Sequence, residues 1–326
     1  NGKKYKVMNM IGEGGFAYVY QVMSVNKDDK KETYALKKMI CQTDEQLEEA
    51  KKEIEVMIKL NHSNVLPLID FSYTVNKKHQ KEVHLLLPLY QSSVQNTIDH
   101  GDGYPYCGFT DGLDVVKVLR HCAEGLFAIH QSGFRHADLK PGNILISESY
   151  HAVITDFGSA MPLHTEIKSR TEALTLQETA AIHSTASYRA PELFNTPSEC
   201  VIDGKADVWA FGCTMYTMLW SRSPFERPVE GLSTLAVLAG EYPLPLESNE
   251  WPEDYVEIIK DCLQINPVQR LDIENLRIRL KRLSSPPLDL QKRPIPVRTE
   301  SPINSCKNTP ERAKNPQDAI KIDVNA

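Results

Sequence analysis

The stretch His136-Ala137-Asp138-Leu139-Lys140-Pro141-Gly142-Asn143, followed at 156–158 by Asp-Phe-Gly, decides how this chain is read. One loop carries an acid, a lysine and an asparagine, and a second carboxylate follows one hairpin later. Residues 143–146 and 152–155 read as the strands of that hairpin, which puts the polar groups at strand ends, open to solvent and ligand. An acid, a lysine, an asparagine and a second acid in this order are the equipment of phosphoryl transfer to a hydroxyl. Asp138 would accept or orient the acceptor's proton, and Lys140 would neutralise charge on the transferring group. Asn143 and Asp156 offer hard oxygens of the kind Mg2+ prefers.

Upstream, Ile11-Gly12-Glu13-Gly14-Gly15-Phe16-Ala17-Tyr18-Val19 runs from one strand-like segment into another. Its glycines would let backbone amides approach phosphate oxygens that a Cβ would obstruct. A dinucleotide fingerprint would need a helix directly after the glycines and an acid about 20 residues further on, and neither is present. Lys37 closes the next strand-like segment and would point at the α and β phosphates. Glu53, at the edge of the helical stripe Leu47, Ala50, Ile54, Met57 and Ile58, would hold it there. Thr43 and Gln46 form a capping box for that helix. Taken singly, these features have ordinary readings as a hairpin turn, a solvated lysine and an exposed glutamate. Their order and spacing favour the functional one.

The remainder of the chain sets bounds. With 326 residues, 41% hydrophobic and 25% charged, it has the composition of a globular protein, and a net charge of −6 argues against nucleic acid as a partner. Its seven cysteines are scattered without a CxxC pair, which indicates neither a disulfide framework nor a zinc site and fits a reducing, cytoplasmic compartment. β-type segments dominate the first ninety residues or so, and helical periodicity the rest, as at 113–130, where Gly133 supplies a stop. Seven of the 20 prolines fall in 285–326, a stretch nearly without aromatic residues that reads as a disordered tail.

Together these motifs resemble the eukaryotic protein kinase family. The resemblance implies an α+β, bilobal fold: a kinase domain over 5–283, with a small β-rich N-lobe (about 5–88), a larger, mainly helical C-lobe (about 89–283), and the tail at 284–326. Ala190-Pro191-Glu192 is similar to the end of an activation segment, Arg270 is placed like the arginine that pairs with that glutamate, and Thr185 resembles the threonine of serine/threonine-directed kinases. Asp207 resembles the buried acid that holds the catalytic-loop backbone, although a plain helix cap fits it nearly as well. By the same mapping Leu87 is the gatekeeper, Pro88, Leu89 and Tyr90 line the adenine side, and Val19, Ala35 and Leu145 sandwich the base; ordinary core positions would also account for these last three.

The long segment after Asp-Phe-Gly carries Thr175 and Glu178 as a further capping box, with Leu176, Ala180 and His183 at helical spacing, which predicts a helix inside it. That helix, with Asp156-Phe157-Gly158-Ser159-Ala160, is similar to the Numb-associated kinases, most of all their myristoylated and palmitoylated serine/threonine branch. The resemblance implies MgATP as phosphoryl donor, protein serine and threonine hydroxyls as acceptors, and peripheral association with Golgi or endosomal membranes through an amino-terminal lipid. It implies no particular oligomeric state. Two positions depart from the pattern: Ala17 replaces a glycine of the phosphate loop, and Ala137 replaces the arginine that in many kinases receives an activation-loop phosphate. The second implies an enzyme whose segment is ordered by its own helix. A pseudokinase scaffold and a small-molecule phosphotransferase of the same fold are the alternatives; the intact polar set opposes the first, and Thr185 with Ala190-Pro191-Glu192 opposes the second.

Overall fold

The computed structural model describes residues 3–14, 17–25, 32–76, 78–99, 115–147, 151–227, 231–244, 252–283 and 319–322. Two compact units divide the chain, and the division falls within a helix, after Ile54.

The first unit is an antiparallel sheet. Its strands are β1 (Lys3–Glu13), β2 (Ala17–Ser24), β3 (Thr33–Cys41), β4 (Asp70–Val75) and β5 (Lys81–Pro88), and β3 leads into α1 (Asp44–Lys59). Strand order is β1-β2-β3-β5-β4, and Ala319–Ile322 adds a strand outside β1, with Tyr5 opposite Ile320. Four residues of the proline-rich tail are therefore ordered as backbone, and the rest of that expected disordered tail lies outside the described residues.

Because side chains alternate along a strand, the pairing sorts residues between two faces. Leu36 lies opposite Tyr20 and Leu86, and Tyr34 opposite Val22, so these share a face. They pack with Tyr5 and Val7 into an apolar cluster. Lys37 lies opposite Val19 and Leu85, and Ala35 opposite Leu87, which puts this second group on the other face. At the start of α1, the Gln46 amide N–H donates to Thr43 Oγ1 at 3.3 Å while Gln46 Oε1 accepts from Gln42 N–H at 2.7 Å, a reciprocal cap. Ala50, Ile54 and Met57 are buried as the periodicity expects, whereas Ile58 is exposed.

The second unit is mainly helical. In chain order it contains β6 (Ser92–Ser93), α2 (Val94–Asp99), α3 (Val115–Gln131), β7 (Phe134–Arg135), β8 (Ile144–Ile146) and β9 (Ala152–Ile154). β10 (Met161–Pro162), β11 (Thr165–Ile167), α4 (Arg170–His183), α5 (Pro191–Phe194), β12 (Cys200–Ile202) and α6 (Lys205–Trp220) follow, then α7 (Thr234–Ala239), α8 (Glu253–Cys262) and α9 (Ile273–Arg282). Gly133, at φ 85°, stops α3 in a conformation that favours glycine.

α6 is apolar all round and buried from Ala206 to Leu219, as befits a central helix. It approaches α8 closely: a Cβ on Gly212 would meet Cys262 Cβ at 2.6 Å. Three short antiparallel ladders, β6-β8-β9, β7-β10 and β11-β12, present the loops that carry the polar motifs. Asn143 is not part of β8, as the sequence had implied. It ends a 3-10 turn, Pro141–Asn143, whose proline cannot donate to a ladder.

Candidate active site

The catalytic-loop candidate is built on Asp207. This residue is 1% exposed in the first turn of α6, and its carboxylate accepts from His136 N–H at 2.7 Å and Ala137 N–H at 2.9 Å. His130 Nε2 completes the set at 2.9 Å. Burial alone would raise the carboxyl's pKa, but these bonds, with the nearby His136, hold it below its ordinary value. Asp207 therefore holds a loop, and the helix-cap reading falls away. Ala137, with φ 65°, is in a left-handed conformation unusual for a residue with a Cβ. Its amide is one of the two that Asp207 fixes.

Asp138 is 8% exposed, and every carboxylate oxygen has a donor. Oδ1 accepts from Thr185 N–H at 2.7 Å; Oδ2 accepts from Lys140 Nζ at 2.7 Å and from Asn143 Nδ2 at 3.2 Å. Lys140 Nζ also donates to Thr185 Oγ1 at 2.6 Å. The four residues thus form one network, three from the loop and one from a segment more than forty positions later. His136 ties the loop to the hairpin: its Nδ1 accepts from Asp138 N–H at 3.2 Å, and Nε2 lies 2.9 Å from Thr155 O.

Asp156 follows β9 with φ 67°, exposed at the strand end. The donor chemistry fits magnesium: Asn143 Nδ2 is committed to Asp138, which leaves Oδ1 to act as a ligand, and Asp156 supplies a carboxylate. Among the described residues no group of three or more His, Cys, Asp or Glu converges. Mg2+ in phosphoryl transfer needs no such cage, since substrate phosphates and water complete its shell.

In the first unit, Lys37 Nζ donates to both Glu53 oxygens, at 2.7 and 3.0 Å, and Glu53 is 5% exposed. The ammonium is thereby held on the face shared with Val19, Ala35, Leu85 and Leu87. Ile11, Gly12 and Glu13 end β1, with Gly12 opposite Val19, and Gly14 N–H closes a turn onto Ala17 O at 2.8 Å. Gly15 and Phe16 lie outside the described residues. Leu89 directly follows β5. Tyr90 and Leu145 belong to the second unit, Leu145 in β8, and burial raises the Tyr90 hydroxyl's pKa.

The segment after Asp156 contains the expected helix, but its start differs. α4 begins at Arg170: Ser169 Oγ accepts from Glu172 N–H at 3.3 Å, and Glu172 Oε2 from Lys168 N–H at 2.7 Å. Thr175, expected as the cap, sits inside the helix and donates to Thr171 O. The end of α4 is tied back by Ser159 Oγ, which donates to His183 O at 2.5 Å. Glu192 pairs with Arg270 through two bonds of 2.7 and 2.9 Å. Sequence reasoning missed Arg189, which donates to Ser184 Oγ and Ser184 O, both at 2.8 Å, and stacks on Phe194. No local pattern marks that role.

Residues 5–278 match the family model described as protein kinase domain. A probable serine/threonine-protein kinase of Dictyostelium discoideum is 31% identical, over 87% of this chain and 95% of its own length. Human serine/threonine-protein kinase 16 is 32% identical, covering 88% of this chain and 92% of that protein. Serine/threonine-protein kinase ENV7 of Saccharomyces cerevisiae is 29% identical, covering 83% and 89% respectively.

Proposed function

The chain belongs to the protein kinase family, as a serine/threonine protein kinase, and from that premise we propose that it transfers the γ-phosphoryl group of MgATP to serine and threonine hydroxyls of proteins through Asp138. The observation that carries this reading is the Asp138 carboxylate, held between Lys140, Asn143 and the Thr185 amide.

Those donors fix its direction, as a positioned base requires. The acceptor oxygen forms a bond to the γ-phosphorus, the bond to the ADP oxygen breaks, and Asp138 takes the hydroxyl proton. Lys140 brings positive charge to the transferring group and to Thr185, which links substrate-side structure to the catalytic loop. Lys37, oriented by Glu53, neutralises phosphate charge. Asn143 and Asp156 would hold magnesium, which would supply further charge neutralisation. Within the sheet unit, the Gly12 and Gly14 backbone would face the phosphates, and Val19, Ala35, Leu87 and Leu89 would line the adenine side.

Ala137 offers no charge to a segment phosphate, and Ser169 and Ser159 hold the two ends of α4, which supports basal activity without a phosphate on the segment. Resemblance to the Numb-associated branch supports a place on the cytoplasmic side of Golgi or endosomal membranes, reached through an amino-terminal lipid; metabolic labelling of the full-length protein with an alkyne fatty acid tests that. For the chemistry, the chain is incubated with MgATP and a protein substrate, and phosphosites are mapped by mass spectrometry. Asp138→Asn is expected to lower the rate by about a thousandfold or more, the loss of both a general base and a positioning charge. Equal phosphorylation by the variant would refute the assignment.

A further inference from the structure

Arg135 is 2% exposed, yet its hydrogen bonds are few and long. Of its N–H donors, Nε reaches Pro162 O at 3.4 Å and Nη2 reaches Thr165 Oγ1 at 3.5 Å, both long. No ion pair forms with it among the described residues. The carboxylates whose fields it feels are Asp207, Glu192 and Asp203, and each is engaged elsewhere: Asp207 by the catalytic loop and His130, Glu192 by Arg270, and Asp203 by Lys205 N–H at 2.8 Å. Burial accordingly depresses the guanidinium's pKa, with those three acids opposing.

A charge buried without a counterion destabilises a fold unless something supplies the counterion. Thr165 opens β11, within the segment between Asp156 and Glu192, and is half-buried. Its hydroxyl makes no hydrogen bond but the long one to Arg135 among the described residues. Ala137, where many kinases place a phosphate-receiving arginine, has nothing to offer an anion. The arginine stands two positions earlier, on β7, and reaches a different residue of the segment.

We propose that Thr165 is a phosphorylation site and that Arg135 is the built receptor for its phosphate. In the modification the Thr165 oxygen forms a bond to the γ-phosphorus of ATP, ADP departs, and the hydroxyl proton passes to the modifying kinase's base. The product carries close to two negative charges and three strong acceptor oxygens one bond beyond Oγ1, where the guanidinium's unused N–H groups can reach them. Glu166 is the acid next to the site, and its charge is turned to Lys168 at 3.0 Å. The donor is either a second copy of this kinase or another serine/threonine kinase. The phosphate's effect is to fasten β11 and β10 to β7, which raises the stability of the segment. Docking does not depend on the proposed activity, so its failure is separate from that of the reading above.

The test uses the full chain. Wild-type and Asp138→Asn proteins from eukaryotic cells are mapped for phosphate: Thr165 modified in both points to another kinase, in the wild type alone to self-modification. Phosphothreonine is then installed at 165 by genetic encoding, in the wild type and in Arg135→Met, whose apolar side chain suits the buried position. A rise in Tm of about 3 to 6 °C is expected in the wild type and none in Arg135→Met. The phosphate's second pKa, followed by 31P NMR, is expected to be about one unit lower in the wild type than in Arg135→Met. The proposal is overturned if Thr165 is unmodified in cells, or if phosphate shifts Tm and titrates alike in the two backgrounds. Should Arg135→Met fail to fold, Arg135→Lys serves: a point charge should retain part of the pKa shift, and a shift equal to wild type would refute the guanidinium as the phosphate's receptor.

Discussion

Two arginines of the helical unit, Arg270 and Arg135, are equally buried, each 2% exposed, and differ in everything around them. Arg270 makes paired bonds to Glu192, donates to Lys205 O at 2.8 Å and Gln264 O at 2.9 Å, and lies over the Trp209 ring at 5.1 Å. Arg135 has two weak contacts and no counterion. Burial of a charge is thus not one phenomenon. Where each donor has an acceptor, the residue locks distant segments together, as Arg270 joins the end of the activation segment to the α8–α9 connection. Where a counterion is missing, the position carries a cost that an arriving anion can relieve.

The comparison would break most visibly at Glu192. Glu192→Ala should cost about 3 to 5 kcal/mol in urea unfolding, because it strands the Arg270 charge in the interior. A cost below about 1 kcal/mol would mean the pair is no lock. Next in size is Ser169→Ala, which removes the α4 cap and should cost about 1 kcal/mol; the same loss at Thr175→Ala instead would return the helix start to the sequence-based position. Arg135→Met in the unphosphorylated chain should come close to neutral or mildly stabilising, in contrast to Glu192→Ala.

His121 offers the mildest test. Burial, with help from His151 and Lys117, pushes its pKa down to about 4, so it avoids an unpaired charge by staying neutral. The unfolded imidazole takes up a proton near its ordinary value of about 6.5, the folded one only near 4. The unfolded state therefore binds more protons between those pH values, and stability should fall as pH drops through that window. Comparison of Tm at pH 7.5 and 5 in wild type and His121→Gln should show a smaller drop in the variant. The site is half-exposed, so the difference is expected to be modest.

Much of the candidate site was legible because its chemistry is concentrated in short, ordered motifs. Asp138, Lys140 and Asn143 lie within six positions of one another, and a loop that short has few ways to arrange them. The α4 helix was legible as a helix and misplaced at its start. Thr175-x-x-Glu178 and Ser169-x-x-Glu172 fit the same capping pattern, and local spacing does not choose between them. Burial of Ala173 in the first turn, with the Lys168 bond to Glu172, decides for Ser169. Ile58 was misread for a related reason: periodicity marks a stripe, while the packed neighbours define its edge.

The sequence alone, then, determined the family and the succession from sheet to helices, and it nominated the residues proposed to carry phosphoryl transfer, because these follow from residue type in short, ordered motifs. Tertiary structure decided what each buried charge means. Asp207 became a loop anchor instead of a cap only when His136, Ala137 and His130 came within hydrogen-bond distance. Arg135, one letter before His136, drew no attention in the chain. Its isolation arises from the β7–β10 pairing and from a threonine thirty positions away, and separations of that length are closed by folding, not by sequence.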